Sequence, residues 1–285
     1  MAETRPTATV KPATSVQVRK SSNAISLIAP VLCLLTGYLL WRFVLGSADN
    51  FEQGTAGGFW PDREGPKSAL SKMYLGGIIV PILLGTFLTM LVFVIERFMT
   101  IAKASGTGNN SDFIRKVQYH LANKNVDAAL AECDKQKGSV GNVMKAGLSR
   151  YKDMISDNEL NTEQKVLAIQ KEVEEATSLE LPMLEKNLVF LSTIATIATL
   201  IGLLGTVVGM IRAFAGLGAD SGGASSAAQL SIGISEALYN TALGIGTSAF
   251  AIVFYNIFTT KIDGITYGID ESGFTLTQTF ASLYK

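Results

Sequence analysis

The sequence predicts an all-α, polytopic membrane protein: four transmembrane helices, with long helices extending into a helical cytoplasmic domain. Of its 285 residues, 48% are hydrophobic and only 17% are charged, whereas soluble domains carry roughly 25% charged residues. The charges concentrate in the first 20 residues and between Glu96 and Lys186. Four long stretches are almost free of charge, and each has about the 20 residues that a helix needs to cross a bilayer. This distribution is typical of a membrane chain with one soluble insert.

The N-terminal part is predicted to be a tail, a first span and a loop. Residues 1–24 are rich in Thr, Ser, Pro and basic residues and lack the apolar centre of a cleavable signal, so they predict a flexible cytoplasmic tail. Residues 25–45 form an apolar run interrupted only by Pro30 and Arg42, which predicts a transmembrane helix. Residues 46–73 are polar and contain Gly and Pro, which predicts a periplasmic loop.

The middle of the chain is predicted to be a soluble helical domain between two spans. The second transmembrane helix is predicted over residues 74–97, and its apolar run closes on Glu96 and Arg97. Residues 98–187 contain helix formers and apolar residues at helical spacing, which predicts a helical cytoplasmic domain. A third transmembrane helix is predicted over residues 188–215.

The C-terminal part completes a layout with both termini in the cytoplasm. Residues 216–229 are rich in Gly, Ser and Ala and predict a short periplasmic linker, residues 230–260 predict a fourth transmembrane helix, and residues 261–285 predict a cytoplasmic C-terminal tail. Lys and Arg are abundant in the N-terminal tail and in the insert but absent from the linker. Since cytoplasmic flanks carry the excess of Lys and Arg, this pattern predicts the orientation.

Composition also bounds the chemistry. A net charge of zero suggests no nucleic-acid partner. Cys33 and Cys133 are predicted to be two unpaired thiols rather than a disulfide framework. His120 is the only histidine, which excludes an HExxH zinc site, and the sequence contains no Walker motif. We therefore expect no cofactor, no metal, no enzymatic activity and membrane lipid as the immediate surroundings.

Polar and small residues follow separate faces of the third span. Thr199 and Thr206 are seven residues apart and lie within about 40° of one another on a helix. An adjacent stripe consists of the glycines Gly202, Gly205 and Gly209. Small residues let membrane helices approach closely, so this stripe predicts helix packing. The hydroxyl stripe is compatible with a pore lining, and also with simple interhelical hydrogen bonding.

The fourth span has one polar face as well. Glu236, Asn240 and Thr241 fall within an arc of about 140° that also contains the predicted packing glycines Gly233 and Gly244. A carboxyl group within a span costs at least ~2.5 kcal/mol near the bilayer centre, so such residues usually face an aqueous path or a partner. Two interpretations of Glu236 remain open: a group on an ion pathway, and a group near the outer end that hydrogen-bonds a neighbour.

These two spans resemble the ExbB/TolQ/MotA proton-channel superfamily. The stretch LEKNLVFLSTIATIATLIGLLGTVVGMIRAF is similar to the family's second helix, with its GLLGTV core, and ISEALYNTALGIGTSAFAIVFYN is similar to the third, with its I-x-EAL-x-xTA-x-G pattern. The resemblance covers roughly Tyr74 to Ile262, and its motifs favour ExbB. It departs from the family at Thr199, where a proline is common, and in the additional first span.

The resemblance implies a function and partners. Family members form a pentameric helical barrel around the membrane helices of a partner similar to ExbD, TolR or MotB, and protons cross beside an Asp of that partner. The family's pore threonines and the Glu of the EAL motif correspond here to Thr206, Thr241 and Glu236. We therefore expect an inner-membrane channel subunit with an ExbD-like single-span partner that energises a TonB-like transducer. The alternatives are a MotA/TolQ-like or gliding-type stator subunit and a non-conducting membrane scaffold.

Overall fold

A computed structural model of the protein describes residues 24–54, 63–67, 69–219 and 224–284. The predicted tail over residues 1–24 therefore lies outside the described residues except for Ala24, as do residues 220–223 of the predicted linker and part of the predicted loop. Within the described residues, four helices are long and apolar enough to cross a membrane. Helices dominate the described chain, so the predicted all-α polytopic fold is confirmed.

The chain forms two compact units. The first contains residues 105–183 and 265–284, and the second contains residues 24–104 and 184–264; we call the second the membrane unit because the apolar spans concentrate there. The helices in chain order are α1 (Ala24–Leu39), α2 (Ala69–Leu75), α3 (Ile79–Ala104), α4 (Asn110–Ala122), α5 (Val126–Gln136), α6 (Gly138–Ser156), α7 (Thr162–Glu185), α8 (Leu188–Ala219) and α9 (Ala224–Leu283). A π-helical turn, Leu40–Leu45, follows α1.

A small β-hairpin lies in the segment predicted to be a loop. Strands β1 (Phe51–Gly54) and β2 (Arg63–Pro66) pair antiparallel, with Phe51 opposite Pro66. A 3₁₀ turn, Ala48–Asn50, precedes β1. Each strand has only four residues and includes Gly or Pro, so the alternation of apolar and polar residues that predicts a strand is absent from both.

Helix α1 packs closely on α3. A Cβ atom at Gly37 would lie 2.6 Å from the backbone nitrogen of Gly85, so the two backbones touch at this crossing. Beyond it, the Trp41 indole stacks on Tyr74 with ring centroids 4.5 Å apart, and its Nε1 donates to the Tyr74 carbonyl at 3.1 Å. Phe51 meets the same Tyr74 ring edge-on. The additional first span is thus anchored in the membrane unit.

The first unit buries its own core. Tyr151 of α6 packs edge-on against Phe280 of α9, with ring centroids 4.8 Å apart. Apolar side chains of α9 stay buried at helical spacing as far as the chain's end: Ile265, Ile269, Leu276 and Phe280. Helix α9 therefore continues to Leu283 through the segment predicted to be a tail. Its apolar spacing explains the difference, because it buries one face of the helix.

Both cysteines are free, as predicted, and both are buried. Burial raises the pKa of the Cys133 thiol to about 12. The thiol therefore stays protonated at neutral pH, which is typical of an inert structural cysteine.

Candidate functional site

Helices α8 and α9 meet along a glycine seam. A Cβ at Gly244 would lie 2.5 Å from the Ala198 carbonyl oxygen, and one at Gly209 would lie 2.8 Å from Cβ of Ala237. A Cβ at each of the other three predicted packing positions would also meet atoms of the opposite helix: Gly202, Gly205 and Gly233. Because lipid supplies no hydrophobic drive between helices, close backbone contact of this kind is what holds them together.

Hydroxyl groups of α9 donate hydrogen bonds to α8 across this seam. Thr241 Oγ1 donates to the carbonyl of Gly202 at 3.2 Å and shares this proton with its own helix at Ala237. Ser248 Oγ donates to the carbonyl of Ala195 at 2.5 Å. The predicted pathway residue Thr241 therefore bonds α8. Its side chain is half-buried.

Asn240 is buried within the seam. Its side chain is 2% exposed and packs against Gly205 of α8 and Gly76, which follows α2. Nδ2 donates to the Gly76 carbonyl at 3.3 Å. Its Oδ1 is buried and accepts no hydrogen bond from the described residues.

Glu236 lies one helical turn before Asn240 and is half-buried. It lines a pocket of about 210 Å³ together with Lys72, Leu75, Ser231, Ile232 and Ser235. The Arg212 guanidinium lies at Gly77, two residues after Leu75 of this pocket. Glu236 forms no ion pair with the described residues, although Lys72 lines the same pocket.

The two predicted threonines of α8 bond their own helix. Thr206 Oγ1 donates to the Leu203 carbonyl at 2.6 Å, and Thr199 Oγ1 donates to the Ala195 carbonyl at 3.3 Å. Thr206 also lines an open groove whose other walls are apolar: Val207, Met210, Ile211 and Phe214. The structure thus places Glu236 one turn before the adjacent residues Asn240 and Thr241 of α9, and leaves Thr199 and Thr206 with locally satisfied hydroxyls.

The sequence does not predict that Lys72 and Arg212 lie near the site. Lys72 belongs to α2, far from the motif helices in sequence, and Arg212 follows the third apolar run directly. A Cβ at Gly77 would lie 2.5 Å from Arg212 Nη1, so this guanidinium covers the turn that joins α2 to α3. A solitary cation at the end of an apolar run is the only signal that the sequence offers for either residue.

A buried clamp lies elsewhere in the membrane unit. Arg97 is buried, and its Nε and Nη2 donate to both carboxylate oxygens of Glu96, at 2.7 and 2.5 Å. Its Nη1 donates to the carbonyls of Leu184 and Lys186. Asn187 adopts a left-handed conformation with φ of 67° and donates to Glu96 at 3.2 Å. These hydrogen bonds among Arg97, Glu96 and Asn187, which we call the clamp, fix the non-helical residues between α7 and α8.

The fold and this site define a class: a polytopic helical membrane protein whose last two spans pack through glycines and whose last span carries a half-buried carboxyl group. The sequence profile of the MotA/TolQ/ExbB proton channel family matches residues 135–271, just under half of the chain. These residues include α8 and most of α9. This match and the relatives described next confirm the resemblance to the ExbB/TolQ/MotA superfamily seen in the sequence.

Individual relatives agree with that assignment. The chain is 38% identical over 86 residues to a putative biopolymer transport protein ExbB-like 3 of Synechocystis, which covers 30% of this chain and 41% of the relative. It is 27% identical over 179 residues to the Tol-Pal system protein TolQ of Pseudomonas aeruginosa, over 57% of this chain and 77% of the relative. It is 39% identical over 82 residues to the biopolymer transport protein ExbB of Pseudomonas putida, over 29% of this chain and 24% of the relative. The chain thus spans less than half the length of the first and third of these.

Proposed function

We propose that the protein is the channel-forming subunit of a proton-motive-force-driven motor of the bacterial inner membrane, with an ExbD-like single-span partner. The observation that carries the proposal is a polar cluster on two neighbouring turns of α9, beside the α8/α9 seam. It consists of the half-buried carboxyl group of Glu236, the buried amide of Asn240 and the half-buried hydroxyl of Thr241. Ionisable groups within spans mark ion and proton paths. The match of residues 135–271, which contain this site, to the proton channel family supports the proposal.

A single chain does not enclose such a path, so assembly is part of the proposal. Large apolar side chains of α8 and α9 remain exposed, among them Leu200, Leu203 and Leu238. Several copies, five by family resemblance, surround the partner's membrane helix and close a hydrated route between them. Thr199 and Thr206 face this route on α8, and both termini lie in the cytoplasm. Protonation changes along the route drive a TonB-like transducer.

The experiment is a complementation assay in a strain that depends on the complex. Glu236→Ala removes the ionisable group, and Thr206→Val and Thr241→Val remove hydroxyls while they preserve side-chain shape. We expect transport to be lost with Glu236→Ala and reduced with the two threonine variants. Thr259→Val is the matched control, because it removes an α9 hydroxyl that bonds its own helix at Tyr255, about five turns beyond Thr241. Full activity in all three test variants would reject the proposed pathway.

A TolQ-type stator subunit is the second candidate. It is favoured by the match to a TolQ protein, which extends over 57% of this chain. Co-purification discriminates between the two: an ExbD-like partner with a TonB-like transducer supports the first, and a TolR-like partner supports the second. A scaffold without conduction predicts that the purified complex carries no protons in any variant.

A further inference from the structure

The amide of Asn240 has one unused hydrogen-bonding atom. Nδ2 donates to the Gly76 carbonyl, whereas Oδ1 is buried and has no donor among the described residues. Exchanging the amide nitrogen and oxygen does not resolve this, because it would place two oxygens together at Gly76. A buried acceptor without a donor costs free energy, because it has lost its hydrogen bonds to water. The site therefore favours any group that donates a hydrogen bond to Oδ1.

Glu236 is positioned to be that group. It lies four residues before Asn240, so the two side chains leave α9 within about 40° of each other and one turn apart. Glu236 packs in the pocket beside Leu75, and Asn240 packs against the next residue, Gly76. Both side chains therefore face the same short segment at the end of α2.

We propose that Glu236 and Asn240 form a proton-binding pair, in which the protonated carboxyl of Glu236 donates its O–H to Oδ1 of Asn240. This deepens the proposed channel function by naming the residue that holds the proton-loaded state. An ionised carboxylate only accepts hydrogen bonds and leaves Oδ1 without a donor. Asn240 is thus a positioning residue that acts through Glu236.

Two nearby cations favour the ionised form of Glu236, whereas Asn240 favours the protonated form. Lys72 from α2 lines the same pocket as Glu236, and the guanidinium of Arg212 from α8 lies at Gly77, two residues after Leu75 of that pocket. A positive charge nearby favours the ionised carboxylate and opposes entry of a metal cation. The protonated form is thus stabilised by Asn240, and the ionised form by Lys72 and Arg212. A group balanced in this way can load and release a proton.

The test is an infrared pH titration of the purified full-length protein in lipid. The carbonyl stretch of a protonated carboxyl that disappears in Glu236→Gln belongs to Glu236. In Asn240→Leu we expect the midpoint of this band to fall by about one pH unit, since one hydrogen bond favours the protonated form about tenfold. In Arg212→Gln we expect the midpoint to rise. Ser248→Ala, which removes a buried hydroxyl of the same helix, is the control and leaves it unchanged.

An unchanged or raised midpoint in Asn240→Leu overturns the pair, because Oδ1 is then satisfied by Lys72, Arg212 or water. Asn240→Ala carries the same expectation if the leucine variant does not fold. A wild-type midpoint that differs between sodium and choline chloride also overturns the pair, in favour of a metal-cation site. A normal titration in a complex that conducts no protons rejects the proposed channel and leaves the pair standing.

Discussion

At the scale of single residues, the membrane unit contains two kinds of charged group. The Arg97 guanidinium is buried, and each of its donating nitrogens has a partner at Glu96 or at a backbone carbonyl beside the α7/α8 break. The Glu236 carboxyl is half-buried and makes no ion pair with the described residues. A fully paired group fixes structure, whereas a group left between competing neighbours can change its protonation state.

The clamp gives a prediction about stability. Arg97→Ala removes the bidentate partner of the Glu96 carboxylate and two hydrogen bonds to backbone carbonyls, so we expect a loss of about 3 kcal/mol in unfolding free energy. Denaturant unfolding of the purified protein in detergent measures it.

The control is Arg115→Ala, which breaks an ion pair with Asp112 whose two side chains are 75% and 55% exposed. Exposed pairs contribute little, so we expect almost no change there. An Arg97→Ala protein as stable as the wild type would contradict the structural role of the clamp.

At the scale of elements, close backbone contact occurs at two crossings of membrane helices, α1 with α3 and α8 with α9. The seam between α8 and α9 uses glycines on both helices, and the crossing of α1 with α3 uses Gly37 and Gly85. Sequence spacing predicts the first arrangement because the glycines repeat at three- and four-residue intervals. It does not predict the second, since one glycine on each helix forms no repeat.

The α1 crossing yields a second prediction. Gly37→Leu places a large side chain where a Cβ already meets the Gly85 backbone at 2.6 Å, so α1 should separate from α3 and expose Trp41. In a Trp60→Phe background, we expect brominated lipid to quench Trp41 fluorescence more strongly in Gly37→Leu than in the parent.

The matched control for this substitution is Gly246→Leu, because nothing lies within 4 Å of a Cβ at that position. It should leave the quenching unchanged. Equal quenching in Gly37→Leu and in the parent would show that α1 does not depend on this contact.

The limits of sequence reasoning are clearest on α9. The helical arc predicts that Glu236, Asn240 and Thr241 share a face, and they do. The arc does not reveal that Asn240 lies buried against Gly76 and Gly205 while Thr241 stays half-exposed, because this depends on where α2 and α8 lie. Tertiary contacts of this kind also bring Lys72 to Glu236.

At the scale of the whole molecule, the two units bury different kinds of surface. The membrane unit leaves many large apolar side chains exposed along α1 and the π-helical turn that follows it, among them Leu27, Val31 and Phe43. In a chain with four membrane-spanning helices, such a face suits lipid. The first unit instead packs aromatic side chains such as Tyr151 and Phe280 inside a helical core. These features agree with a multi-pass membrane protein that also carries a soluble domain.

The account depends most on proton conduction through the site that contains Glu236. The direct measurement is proton flux into vesicles that contain the purified complex with its partner, driven by an imposed membrane potential. We predict flux in the wild type and in Thr259→Val, and flux at the level of empty vesicles in Glu236→Gln. Wild-type flux in Glu236→Gln would contradict the account, because protons would then cross without the group on which it rests.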